Sequence, residues 1–254
     1  MHVPGTGISS RRHRQQAADF LAADTELVTT LENLDNATNY AAWIMESIAP
    51  YLGDRIVEIG AGHGTFTERL REYGDVIASE PSPRAAARLR LRFANDERVT
   101  VEEAFAQTVV AHRTFNTAVS INVLEHVDDD VGLTKEIGKA LDPGGHFIIF
   151  VPAFQGLYSK FDRDIGHLRR YRSSDLGDLV AWAGMEVELM RYVNLPGFFA
   201  WFLMCRALRL QPTQRWSTHL YDRAVIPVVR QIESKFAPPF GQSLLCVARR
   251  PSNR

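Results

Sequence analysis

The residues best suited to chemistry begin with an acid and a run of glycines. Glu58 lies in the apolar stretch Ile56-Val57-Glu58-Ile59, and Gly60-Ala61-Gly62-His63-Gly64 follows it. Glycines at alternate positions cost chain entropy unless the backbone needs positive φ or another group must approach it closely. The helical pattern resumes at Thr65 to Arg71. A strand, a glycine turn and a helix in that order form the usual crevice for a nucleotide-like ligand in an open α/β sheet. A carboxylate ahead of the glycines suits a ligand with a cationic amine. Counting from Gly60, the third glycine of a G-x-G-x-x-G dinucleotide fingerprint would fall at Thr65, so that fingerprint is incomplete. No Lys-Ser/Thr pair follows the loop, which excludes a phosphate-cradling P-loop. A second acid, Glu80, ends the strand Val76-Ile77-Ala78-Ser79. There it can accept two hydrogen bonds from adjacent ribose hydroxyls, as acids do in nicotinamide-dependent enzymes too.

These residues need a scaffold, and the composition supplies one. The chain has 254 residues, room for one large α/β domain or two small ones, and with 45% hydrophobic and 23% charged residues it has the profile of a globular protein. A net charge of −1 gives no electrostatic case for nucleic acid. Cys205 and Cys246 offer neither a disulfide framework nor metal spacing, which fits a reducing, cytoplasmic setting. No signal peptide or membrane-spanning run is visible. Residues 1–18, rich in Gly, Ser and Arg, are expected to be a disordered leader, and 19–254 a single domain. A weak helix is expected over 19–34. Tyr40, Trp43, Ile44 and Ile48 have helical spacing over 39–48, and that helix ends at Pro50. Val99-Thr100-Val101, Ala118-Val119-Ser120-Ile121, His146 to Pro152, Glu186 to Tyr192 and Ser243 to Ala248 are the remaining predicted strands. Helices are predicted over Arg84–Phe93, Val131–Leu141 and Leu176–Ala183, the last capped by Ser173-Ser174-Asp175.

The acid-x-Gly-x-Gly-x-Gly order resembles motif I of the class I S-adenosylmethionine (SAM)-dependent methyltransferases. The resemblance implies that Gly60, Ala61, Gly62 and Gly64 pack their backbone against the cofactor and that Glu58 helps hold its amino group. It places Glu80 and Pro81 at the ribose, and Tyr40 on a helix over the ligand. An Asp usually follows the third strand of this family, near the adenine amino group. Here Ala104 takes that position, so the backbone of Ala104 and Phe105, or the side chain of Glu103, would have to serve. Asn122-Val123-Leu124-Glu125-His126 resembles the N/E-x-L-E-H segment of many small-molecule methyltransferases. Asn122 and Val123 would then wall the cofactor pocket, and His126 would face the methyl-transfer site. The segment is partly like that of the ubiquinone-pathway O-methyltransferases, where two acids and a His near this point are linked to metal. Asn122 replaces the first acid, and the adjacent pair Glu125-His126 does not make a metal site alone, so no metal is expected. Leu141-Asp142-Pro143-Gly144-Gly145 resembles the family's sharp turn before the fifth strand.

The acceptor side is predicted over 153–175, a long, charged and aromatic connection at the carboxyl edge of the sheet. A subset of bacterial methyltransferases carries a similar Asp-x(4)-His-x-Arg-Arg-Tyr segment. Asp162 and His167 are therefore candidates for proton removal, and Tyr158, Arg170 and Tyr171 for acceptor binding. An ion-paired latch is the alternative use of the same residues. A helical insertion over 194–240 precedes the last strand. Its apolar part, near 197–210, carries Arg206 and Arg209 toward its end and is followed by Arg215; it could be buried within the protein, cap the acceptor pocket, form a homodimer seam or touch a membrane surface.

The resemblance implies a three-layer, Rossmann-like fold with a seven-stranded, mostly parallel sheet. The implied activity is SAM-dependent methyl transfer, with S-adenosylhomocysteine as product. The acceptor is a small molecule, a sugar or a lipid-linked compound, modified at a hydroxyl. His126 or His167 would take its proton. A non-catalytic SAM- or partner-binding protein and an NAD(P)-dependent oxidoreductase are the competing classes.

Overall fold

The structure, a computed structural model, describes residues 36–208 and 215–252. The expected leader and the helix over 19–34 lie outside the described residues, as does Arg209. The chain order is α1 (Thr38–Ile48), β1 (Arg55–Ile59), α2 (Thr67–Leu70), β2 (Asp75–Ser79), α3 (Pro83–Arg92), β3 (Val99–Glu102), α4 (Ala106–Val110) and β4 (Phe115–Ile121). It continues with α5 (Asp130–Ala140), β5 (Leu141–Pro152), α6 (Lys160–Asp164), α7 (Ser173–Trp182), β6 (Glu186–Val193), α8 (Leu195–Trp201), α9 (Arg215–Ala224), α10 (Ile226–Glu233) and β7 (Ser243–Arg249). A π-helical turn, Phe202–Ala207, extends α8.

The strands form one seven-stranded sheet in the order β3-β2-β1-β4-β5-β7-β6. All pairs are parallel except those of β7, which runs antiparallel to β5 and β6. The central strands are buried on both faces, so they read as continuous apolar runs. Alternation decides which layer each side chain joins. Phe147, Ile149 and Val151 pack with Leu133 and Ile137 of α5 and Leu176 of α7. Ile148 and Phe150 face the opposite way, toward Ile44 and Ile48 of α1 and Val229 of α10.

Two boundaries depart from the sequence expectation. The Leu141–Gly145 turn is drawn into β5: Leu141 pairs with Phe115, and the register then jumps so that His146 pairs with Thr117. The turn survives as a bulge, with Gly144 at φ 82° and its N–H on the Arg250 carbonyl. Ser173 and Ser174 belong to α7 itself. Its N-cap is Arg172, whose N–H donates to Asp175 Oδ2.

The insertion is fastened to the sheet's carboxyl edge. Glu233, ending α10, accepts the N–H groups of Asn194 and Leu195 at the start of α8. Asp222 of α9 accepts those of Asn39 and Tyr40, a cap that α1 lacks from its own Ala37. Among the described residues no helix is long and apolar enough to cross a membrane.

Candidate active site

The sheet order reverses at β1 and β4, the crevice where open α/β sheets bind ligands. A cavity of about 790 Å³ opens there. The glycine loop leaves β1 with Gly60 and Gly62 at φ 69° and 56°, a region that L side chains avoid. A Cβ on Gly60 would also stand 2.5 Å from Val123 Cγ2, so the loop and the segment after β4 are shaped to each other. Gly64, at φ 84°, also serves packing, closing on Leu89 of α3 and on Phe93 just beyond it.

Glu58 is buried and accepts a hydrogen bond from the Thr67 hydroxyl. Burial lifts its pKa to about 8 against that bond, so a nearby ammonium would return it to the charged form. Glu80 points back at the loop. Its Oε2 accepts from Gly62 N and its Oε1 from Ser82 N, both at 2.8 Å. Tyr40, Ala61, Pro81, Phe105, Asn122 and Val123 also line the cavity. Ala104 does not; its carbonyl accepts the Ser79 hydroxyl. Glu103 is taken by Arg90, and Phe105, Gln107 and Thr108 line the cavity there.

The end of the cavity away from the glycine loop is organised by one carboxylate. Asp162 Oδ1 accepts from Arg170 Nε (2.8 Å), Arg170 Nη2 (2.7 Å) and His167 Nδ1 (2.9 Å). Its Oδ2 accepts from the Ser159 N–H and hydroxyl. Burial raises its pKa, but the His167 hydrogen bond and the Arg170 charge outweigh this and leave it below the ordinary carboxylate range. With Nδ1 turned to the Asp162 carboxylate, the His167 ring presents Nε2 on its other side. That nitrogen lies 3.6 Å from Glu125 Oε1. Glu125 is fully buried, neither of its side-chain oxygens has a hydrogen-bond partner, and burial lifts its pKa to about 7. The His126 ring lies 4.7 Å from that of His167, with Nδ1 3.2 Å from the Gly166 carbonyl. Burial, then the neighbouring His167, lower its pKa to about 3, so it is neutral.

His126, His167 and Arg170 reach the cavity wall, whereas Asp162, Tyr158 and Tyr171 stand behind it. The Tyr158 hydroxyl donates to the His167 carbonyl. The Tyr171 hydroxyl is held by Asp130 and the Leu124 carbonyl. Phe161, Ile165, Trp201, Met204 and Cys205 add an apolar lining, and of these only Cys205 is singled out in the sequence. Arg170 stacks over Trp201 at 4.6 Å, which joins this apolar wall to the Asp162 network.

The model of a methyltransferase domain matches residues 11–189. The chain belongs to this methyltransferase family. The ubiquinone biosynthesis O-methyltransferase of Ralstonia nicotianae is 30% identical over 178 residues, covering 62% of this chain and 74% of that protein. The Cereibacter sphaeroides protein of that name is 31% identical over 105 residues, covering 39% of this chain, which spans 41% of its length. Two solved structures share the fold: a SAM-dependent methyltransferase from Mesorhizobium loti (20% identity, TM-score 0.54, 82% and 96% covered) and the N-methyltransferase NodS from Bradyrhizobium japonicum in complex with S-adenosylhomocysteine (15%, 0.53, 83% and 85%). The methyltransferase therefore uses SAM. Its glycine loop and the acid-lined crevice fit that cofactor: Gly60 leaves room a Cβ would fill, and Glu58 is a buried acid in want of a cation.

Proposed function

We propose that this methyltransferase methylates a hydroxyl oxygen of an apolar small molecule or lipid-linked acceptor, with His167 removing the proton. The observation that carries the proposal is the Asp162–His167 pair at the cavity wall. An ionised, saturated carboxylate holds Nδ1–H, so Nε2 is the basic atom. Asp162 itself has no capacity left for a proton, and its part is to position His167 and Arg170. Tyr158 and Tyr171 hold the loop, while Arg170 presents its stacked Trp201 to the acceptor.

When bound, the cofactor supplies a methyl group on a sulfonium, and transfer breaks the C–S bond and forms a C–O bond. Glu58 would hold the cofactor's ammonium, Glu80 its ribose hydroxyls, and Phe105 its adenine face. His167 takes the hydroxyl proton on Nε2 as the oxygen attacks. Phe161, Ile165, Trp201 and Met204 exclude water and select an apolar body. The same segment turns Phe199, Phe202, Leu203 and Leu208 outward, which suits an acceptor delivered from a lipid phase. The name of the Ralstonia relative points to oxygen as the atom modified.

A screen of phenolic and lipid-linked hydroxyl compounds tests this. His167→Ala should lower kcat by about 10²–10⁴-fold with cofactor affinity unchanged. An unchanged rate on an accepted hydroxyl substrate would remove His167 as the base.

A further inference from the structure

We infer that the side-chain amide of Gln242 determines acceptor specificity. It donates to an uncharged oxygen of the acceptor, a carbonyl, ether or second hydroxyl, distinct from the oxygen that is methylated. This deepens the reading of the cavity as an acceptor site and rests on it. Gln242 lies just before β7 and lines the cavity with Asn194, Gly197 and Tyr221. One residue ties this group to the end where His167 stands. The Ala153 N–H donates to the Gln242 carbonyl, and the Ala153 carbonyl accepts from Arg170 Nη1 at 3.4 Å.

The direction of the amide follows from its neighbours. The Gly197 N–H can only donate, so the Asn194 atom 3.0 Å from it is Oδ1. The Tyr221 hydroxyl donates to the same oxygen at 2.7 Å. The other arm of Asn194, Nδ2, therefore donates to Gln242 Oε1 at 2.9 Å. Gln242 Nε2 keeps two N–H groups, and among the described residues nothing accepts them. Once an apolar acceptor has displaced water, unmet donors are costly, and an oxygen on that acceptor relieves the cost. The fold is shaped around this amide pair. Asn194 holds a left-handed backbone, φ 66°, while buried Glu233 accepts its N–H and that of Leu195. Gly197 lies inside α8, where glycine weakens a helix. A Cβ there would stand 2.3 Å from Asn194 Nδ2 and 2.4 Å from Gln242 Oε1.

The surrounding charge narrows the ligand. Asp222, next to Tyr221 in the chain, lines the same cavity. Glu233 stands behind the wall with Arg191, whose Nη2 donates to the Glu233 carbonyl. Arg170 is already matched by Asp162. Two carboxylates against one guanidinium disfavour an anionic oxygen, and a donor amide disfavours an ammonium.

The test uses para-alkylphenols and two matched sets. In one a carbonyl replaces a chain methylene at each successive position; in the other the chain ends in a carboxylate. Calorimetry on the full-length protein saturated with S-adenosylhomocysteine reads affinity without turnover, and NMR follows the Gln242 side-chain N–H resonances. In the wild type at least one carbonyl probe should bind about 3–10-fold tighter than its alkyl match and shift those resonances. The carboxylates should bind no tighter than the alkyl probes. Gln242→Glu keeps an oxygen for Asn194 Nδ2 but loses the donor, so it should erase the carbonyl preference. Should that variant fail to fold, Gln242→Met decides, with wild-type affinity for S-adenosylhomocysteine as the check on an intact cavity. The subsite is overturned if no carbonyl position is preferred by the wild type, or if Gln242→Met keeps the preference. A preference that Gln242→Met abolishes, with no methyl transfer to any phenol, would reject hydroxyl methylation and leave the subsite standing.

Discussion

The two ends of the cavity are built by different means. At the cofactor end, Glu58, Gly60 and Gly62 fall within five consecutive residues, and Glu80 closes on them from the neighbouring strand. Backbone N–H groups and strand ends do most of the work there. At the other end, Glu125, Trp201 and the Asp162–His167 segment come from three separate stretches of chain, joined by side-chain contacts and a few loop hydrogen bonds. The first end is fixed wherever the sheet forms. The second depends on one buried charge, Asp162, and should be the weaker of the two.

The hardest test of that contrast is Asp162→Ala. It would leave the Arg170 guanidinium, 2% exposed, without its anion. Removing one partner of a buried pair costs about 3–5 kcal/mol, the largest stability loss expected of the variants considered. Urea unfolding should record it, while calorimetric titration with S-adenosylhomocysteine on the folded protein should give wild-type affinity. A parallel fall in cofactor affinity would show that the two ends are not independent.

This contrast also explains what was legible in the sequence. Glu58, the glycines, Glu80 and the Asn122-Val123 wall were visible because their spacing along the chain is their spacing in the site. The sheet was visible for the same reason, since each strand carries its own apolar run. At the acceptor end the sequence offered residue types without their geometry. Spacing alone leaves Tyr171 and Asp162 open to acceptor contact or to a latch, and the fold sets both behind the wall. The apolar wall of Trp201, Met204 and Cys205 was legible only as a hydrophobic run with several uses. Deciding between burial, capping and surface contact required knowing which strand edge it folds over.

The cofactor end has its own signature, which is a dependence on pH. The pKa of Glu58 is raised to about 8 in the folded protein, from a value near 4.5. Between those values the folded state holds more protons than the unfolded one, so stability falls as pH rises. The contribution is fully present below about pH 4.5 and is lost by about pH 8, on the order of a few kcal/mol across the window. Unfolding free energies of wild type and Glu58→Gln at pH 5, 6, 7 and 8, without cofactor, isolate it as a difference. The wild type should lose stability more steeply. Matching slopes would mean that Glu58 is ionised throughout and needs no ligand ammonium.

The smallest expected effect lies where the two ends meet. Asp222, 2% exposed in α9, accepts the N–H groups of Asn39 and Tyr40 and so ties the insertion to the helix that carries Tyr40 into the cavity. Asp222→Ala removes a helix cap worth about 0.5–2 kcal/mol. If α1 and the insertion act as one cover over both ligands, the variant should weaken cofactor affinity and raise the acceptor KM together, with kcat nearly unchanged. The Asp162–His167 pair is untouched by this substitution, so the chemical step has no reason to slow. A change in acceptor KM alone would assign the cover to the acceptor end, and α1 would then hold the cofactor without help from the insertion.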